Sequence, residues 1–334
     1  KKGGRKKARI VMPDSEDNFV EIIAKHIAGD PTDGTVIWTN LSQQEISERL
    51  AELGTPVSVP VVRELLDEFK FSERKAQKKQ SMGHHPDRNA QFENIARLKR
   101  EFLEAGLPVI SMDSKTKEPL GNFFRAGQLY TSRVIEVYEH DFRSHAEALV
   151  IPHGLYDVGR NVGHVTLGLS RDTSEFACDS LRKWWQHYGR RAYPNADIML
   201  LLCDCGGSNG CQHFIFKEDL QCLVNVLDMP IRVAHYPPYC SKHNPIEHRF
   251  FPHITRACRG VILHTLEIVK RVIANTTTRT GLRTTLNVID NIYEAHRKAS
   301  REFRAAMPIL FDNFLPDWNY TALPYSLIAA IVTT

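Results

Sequence analysis

Residues 198–203, Ile-Met-Leu-Leu-Leu-Cys, are apolar without a break and end on Asp204, which Cys-Gly-Gly-Ser-Asn-Gly follows at once. A short apolar run stopped by turn-formers predicts a parallel strand covered on both faces, because a strand with one wet face alternates. The pattern around it is mixed α/β. In open α/β sheets the ligand crevice lies beyond the carboxyl ends of the strands, so Asp204 stands where a site is expected.

Ahead of this region, residues 1–75 read as an all-helical unit. Phe19, Ile22, Ile23, His26 and Ile27 recur at helical spacing. Ser42-Gln-Gln-Glu45 is a capping box, a stripe of Ile46, Leu50 and Leu53 follows, and Gly54 stops the helix. After Thr55-Pro56-Val57, Ser58 is the expected N-cap of a second helix, with Pro60 in its first turn. Val61, Val62, Leu65, Leu66 and Phe69 supply its apolar face. Helix, glycine-containing turn, helix is the helix-turn-helix arrangement, with Arg63 as its candidate DNA contact. The alternative is a plain hairpin with a packing role. Residues 76–107 read as a linker rich in turn-formers (Gly83-His84-His85-Pro86-Asp87) and a connecting helix from about Ala90 to Ala105.

Residues 108–334 carry the α/β pattern. Val109 to Met112 predicts a strand reaching Asp113, and a hairpin is expected within Gly121 to Val137. Leu155–Val158 and His164–Leu169 read as strands around a turn holding Asn161 and Gly163. Asp172 or Thr173 caps a helix carrying Trp184 and Trp185, which read as its core and rim. A helix from about Gln212 to Asn225, a strand from Ile231 to His235, and a helix opening at Asn244-Pro245 follow.

Three acids fall at ends of these elements: Asp113, Asp204 and, in the first turn of the last helix, Glu247. Carboxylate oxygens are hard ligands that suit magnesium, with manganese as a substitute. Paired ions of that kind activate a nucleophile on one side of a phosphodiester and stabilise the leaving oxygen on the other. Each acid also has a plainer reading. Asp113 and Asp204 can be turn residues, and Glu247 can be the N3 member of a cap formed by Asn244 and Pro245. Spacing alone leaves both open. Lys115, Lys117, Lys242 and Arg249 flank the acids as phosphate contacts or as solvated surface, and His235, His243 and His248 gather near Glu247. Cys203, Cys205, Cys211 and His213 do not have the spacing of a zinc site, and no zinc is expected. Gly206 to Gly210 lacks the lysine of a phosphate-binding loop.

Longer stretches decide between these readings. "HPDRNAQF" at 85–92, "PVISMDSKTKE" at 108–118, "IPHGLYDV" from 151, "LLCDCGGSNG" at 201–210, "NPIEHRFF" at 244–251, "ANTTTRTGLR" at 274–283 and "DWNYT" at 317–321 closely resemble the Rhodopirellula-type DDE transposase family of bacterial insertion sequences. The resemblance covers nearly the whole chain. It implies a ribonuclease-H-like mixed sheet flanked by helices, with Asp113, Asp204 and Glu247 matching the catalytic, metal-binding triad. It further implies double-stranded DNA as partner, at element ends and at the target, and a homo-oligomer assembled on it. Cys205, Tyr239-Cys240 and His243 depart from the family pattern, but no acid is lost. The competing functions are a DNA-binding repressor that has lost catalysis and a nuclease that cuts without strand transfer.

Composition agrees with a globular DNA-binding protein without requiring one: 42% hydrophobic and 25% charged residues, net charge +4. Basic residues cluster at Lys1, Lys2, Arg5, Lys6 and Lys7 and again at Arg74, Lys75, Lys78 and Lys79, a pattern that attracts phosphate backbones or simply stays solvated. Seven irregularly spaced cysteines suggest free thiols in a reducing compartment rather than a disulfide framework. The basic start leads into no apolar core, and Leu327 to Val332 is too short to span a bilayer. A soluble, cytoplasmic protein with no membrane partner is the expectation.

Overall fold

In the computed structural model the described residues are 12–25, 27–30, 33–39, 41–74 and 85–332. The amino-terminal basic cluster, Lys75, Lys78 and Lys79, and the turn-formers Gly83-His84 lie outside them. The chain divides into two compact units, Lys1–Gln80 and Ser81–Thr334.

The first unit holds α1 (Ser15–Lys25), an antiparallel pair of strands β1 (Ile27–Asp30) and β2 (Asp33–Thr39), then α2 (Gln43–Glu52) and α3 (Val59–Glu68). The strand pair corrects the all-helical expectation. Asp33-Gly34-Thr35-Val36-Ile37-Trp38-Thr39 is dominated by β-branched and aromatic residues that lose χ1 freedom in a helix, so α1 ends at Lys25 rather than running on through Ile27. The capping box is present: the Glu45 amide donates to Ser42 Oγ at 3.2 Å, and the Ser42 amide to Glu45 Oε2 at 2.7 Å. Phe19, Ile22, Ile23, Ile46, Leu50, Val57, Val62 and Leu65 form the unit's own buried core.

The second unit opens with α4 (Arg88–Glu104), followed by β3 (Val109–Ser114), β4 (Glu118–Leu120), β5 (Ala148–Asp157) and β6 (Val162–Gly168). Then come α5 (Ser174–Trp184), β7 (Met199–Cys203), α6 (Phe214–Leu227), β8 (Ile231–His235), α7 (Pro245–Arg249), α8 (Phe251–Ala257), α9 (Leu266–Ala274), β9 (Arg283–Ile289), α10 (Arg301–Ala306), β10 (Ile309–Phe311), β11 (Asn319–Ala322) and α11 (Tyr325–Val332). The strands form one mixed sheet in the order β10-β11-β8-β7-β3-β5-β6-β9, with β4 beside β5. The strands β3, β5 and β6 are an antiparallel meander, and β7 and β8 continue parallel to β3 on its other side. This is the ribonuclease-H-like arrangement.

Side chains alternate across the strands. Ile110, Met112, Leu155, Met199, Leu201, Cys203, Ile231 and Val233 point to one face and pack with α5 and α6. Trp184 and Trp185 are both buried there, so neither is a rim residue. On the other face Val109, Leu200, Leu202 and Ala234 meet Ile95 and Leu98 of α4. The helix expected as a connector thus lies on the sheet. Further along that face Tyr156, Val165 and Leu167 meet Ile246 of α7, Phe250 at the junction of the two helices, and Phe251 and Ile254 of α8. No hairpin forms within 121–137: beyond β4 the described backbone is irregular up to the turn at Arg143. Gly163, expected in a turn, is inside β6, while Asn161 takes the positive φ of 54° that the turn needs.

Candidate active site

Ser111 of β3 lies opposite Leu202 of β7 in a parallel register, which two residues further on puts Asp113 beside Asp204. Both acids follow the parity of Val109 and Leu200, so they project to the face covered by α4, α7 and α8. There α7 supplies Glu247, whose side chain shares a hydrogen bond with Asp113. Burial, then the Asp204 charge and that bond, push the Asp113 carboxyl up to about 8. Burial lifts Asp204 to about 6, opposed by a hydrogen bond from Asn244 and assisted by the Glu247 charge. Carboxylates so crowded hold protons because they cannot all ionise without a counter-charge.

Two glycines let α7 and α8 sit this close. A Cβ on Gly163 would lie 2.0 Å from Phe250 Cε2, and one on Gly154, opposite Asp113 in β5, would lie 2.5 Å from Phe251 Cε1. Behind Asp204, the wholly buried His235 has Nδ1 3.0 Å from the Asp204 carbonyl oxygen and Nε2 3.0 Å from the Tyr320 hydroxyl. The carbonyl can only accept, so Nδ1 carries the hydrogen and Nε2 accepts from Tyr320. His235 therefore supports Asp204 rather than Glu247, and His243 and His248 are exposed.

The other candidates separate clearly. The Lys115 side chain is 12% exposed, and its Nζ is 2.6 Å from Glu118, which Arg125 also grips. Lys115 and Arg125 thus share one carboxylate, and this small cluster keeps a net positive charge. Lys242 and Arg249 are exposed, Lys117 is half-buried, and Arg63 is exposed on α3. Arg256 and Arg259, one turn apart on and just past α8, are not among the candidates named from the sequence. They line a cavity of about 500 Å³ together with Glu247, Ser114, Lys115 and Thr255. Their three-residue spacing on the polar side of a helix was the available signal.

Cys205 and Cys211 form a disulfide with Cα atoms 4.8 Å apart. This corrects the expectation of free thiols: Gly206 and Gly207, the latter at φ 65°, turn the chain back on itself. Two of the four side chains that a zinc site would need are thereby used, and Cys203 is in the core. Among the described residues no three His, Cys, Asp or Glu side chains are closed to the radius of a metal cage. The donor set that Asp113, Asp204 and Glu247 offer is all oxygen, which is the chemistry that suits a hard divalent ion.

No described helix is long and apolar enough to cross a membrane. The fold and its strand-end acids place the chain among ribonuclease-H-like proteins. The sequence matches the Rhodopirellula transposase DDE domain over residues 18–324. This chain belongs to that family of DDE transposases, whose members use divalent metals. No curated protein matches. Among solved structures, the Mos1 transposase paired-end complex with the left transposon end is 14% identical, with a TM-score of 0.43 over 81% of this chain and 71% of that one. The Mos1 mariner paired-end complex with Mn is 14% identical, with a TM-score of 0.42 over 81% and 72%. Likeness that remote bears on neither the substrate nor the reaction.

Proposed function

We propose that the chain cleaves DNA at the ends of its element and joins the freed 3′ ends to target DNA, with Asp113, Asp204 and Glu247 holding Mg²⁺, for which Mn²⁺ can substitute. The observation that carries this is the convergence of the three acids on one sheet face, where Asp113 shares a hydrogen bond with Glu247 and feels the Asp204 charge. Asp113 sits in the β3–β5 ladder, Asp204 directly follows β7, the strand on the other side of β3, and Glu247 comes from a helix pressed onto the same face. Divalent ions bound there would make the attacking oxygen acidic and offset charge on the leaving oxygen. No side-chain nucleophile is required. Arg256 and Arg259 flank Glu247 where the phosphates of a bound strand would pass, with Lys117, Lys242 and Arg249 as further contacts. The amino-terminal unit, through a helix-turn-helix with Arg63 on its second helix, would recognise the element ends, and two copies would pair two ends.

Nicking and strand transfer on an end-bearing duplex, with Mg²⁺ or Mn²⁺, test this. Asp204→Asn is nearly isosteric and removes one charge and one strong ligand, so activity should fall by orders of magnitude while DNA binding persists. Asp113→Asn and Glu247→Gln should behave alike, and pairs should cost little more than singles. Near wild-type cleavage by a folded Asp204→Asn, or robust cleavage in chelator, overturns the assignment. Binding without cleavage in the wild type identifies a repressor, and cleavage without joining a nuclease.

A further inference from the structure

Asn244 does not play the part its position suggests. It precedes Pro245 at the start of α7, yet its side chain makes no capping bond to that helix. It is wholly buried, as is Ser111. Its Nδ2 donates to the Met112 carbonyl oxygen at 3.3 Å and to Asp204 Oδ1 at 3.1 Å. Its Oδ1 accepts from Ser111 Oγ, and that oxygen in turn accepts from the Ile246 amide at 2.9 Å.

The hydrogen count closes. An amide nitrogen has two hydrogens, and both go to groups that accept here, which fixes which end of the Asn244 amide is nitrogen. The serine hydroxyl has one hydrogen, given to Asn244, and accepts one from Ile246. One side chain therefore touches the strand of Asp113, the carboxylate of Asp204 and, through Ser111, the first turn of the helix bearing Glu247. It engages one oxygen of Asp204, and among the described residues none bonds the other. A plain cap would need neither the buried serine on β3 nor a donor aimed at the acid that follows β7.

Building on the metal-site reading, we propose that Asn244, locked by Ser111, is a positioning residue that sets the spacing of the three acid-bearing segments and orients Asp204 to ligate the metal. Groups that orient metal ligands typically contribute about 10–100-fold to metal affinity or activity.

The test tracks the thermal midpoint of the DNA-free protein against Mn²⁺ concentration, beside kcat and KM for cleavage of an end-bearing duplex. Wild type should show a saturable metal-dependent rise, and Asp204→Asn should show none. Asn244→Ala should need about 10–100-fold more Mn²⁺ for half the rise and lose kcat with KM for DNA unchanged. Ser111→Ala keeps both donors of Asn244 but frees its carbonyl end, so a smaller shift of the same kind is expected. It stands in if Asn244→Ala does not fold. A wild type without any metal-dependent rise overturns the metal-site reading and this proposal with it. A rise lost in Asp204→Asn but kept at wild-type Mn²⁺ concentration and kcat in folded Asn244→Ala, or in Ser111→Ala, overturns the positioning role alone.

Discussion

Gly163→Ala should disable the protein although β6 lies two strands away from the Asp113 strand. The added methyl would lie 2.0, 2.2 and 2.5 Å from Cε2, Cζ and Cδ2 of Phe250, where carbon atoms settle at about 3.5–4.0 Å. The ring must shift by more than about 1 Å. It has little room: Phe250 is wholly buried, with the Tyr156 ring 6.3 Å away and the Phe251 ring 6.1 Å away. Overpacking costs typically about 1–3 kcal/mol, and a ring bounded on both sides belongs at the upper end. Against a native stability of about 5–15 kcal/mol, urea unfolding reads this as a clear fall in midpoint at constant slope. Phe250→Ala alone should cost about 3–5 kcal/mol. In the double variant the new methyl enters vacated space, so it should be no worse than Phe250→Ala, a coupling of about 1 kcal/mol or more. Gly206→Ala, whose Cβ meets nothing within 4 Å, is the control and should stay within about 0.5 kcal/mol. Because Phe250 comes three residues after Glu247, a displaced ring also displaces the acid, and misplacement of about 1 Å can cost about 100-fold in rate. A Gly163→Ala protein as stable as wild type, with an additive cycle, would refute the close-packing argument.

Metal-free protein should be most stable slightly above pH 6. Asp113, raised by burial, the Asp204 charge and the Glu247 bond to about 8, and Asp204, raised by burial to about 6, keep protons that the unfolded chain loses near 4, so stability falls as pH rises toward 8, by roughly 1 kcal/mol per unit. His153 and His235, held by burial at about 3 and about 4, act oppositely: their contribution is present above the unfolded value near 6.5 and lost as pH falls below it. Thermal midpoints from pH 5 to 9 check this; Mn²⁺ should remove the alkaline fall, and a metal-free midpoint that climbs steadily to pH 8.5 contradicts it. Reduction of Cys205–Cys211, or Cys205→Ser with Cys211→Ser, should lower stability by up to about 2 kcal/mol for so short a loop, and a urea midpoint indifferent to confirmed reduction argues against any contribution. Residues 1–75 alone should bind DNA with steep salt dependence, and affinity that stays flat from low to moderate salt points to a packing role.

Local chemistry made much of this protein legible from its sequence. The apolar run into Asp204 could only be a strand buried on both faces, and it is β7, central in the sheet. The Ser42 box and the Thr173 cap act within four residues, so they form as read. Asp113 and Asp204 share a face through strand alternation once the register is known, whereas Glu247 reaches that face from α7. What only the tertiary structure decided involves partners distant in sequence. Asn244 looked like a cap until Ser111 and Asp204, 133 and 40 residues away, claimed its amide. That Lys115 is part-buried and shares Glu118 with Arg125 is likewise a matter of the fold, since Arg125 lies ten residues further along the chain. Gly163 looked like a turn until Phe250 proved to need the space. Propensities and caps are fixed by a residue's neighbours along the chain, whereas a hydrogen-bond inventory or a steric limit is fixed by whatever the fold brings against it, and no local pattern encodes that.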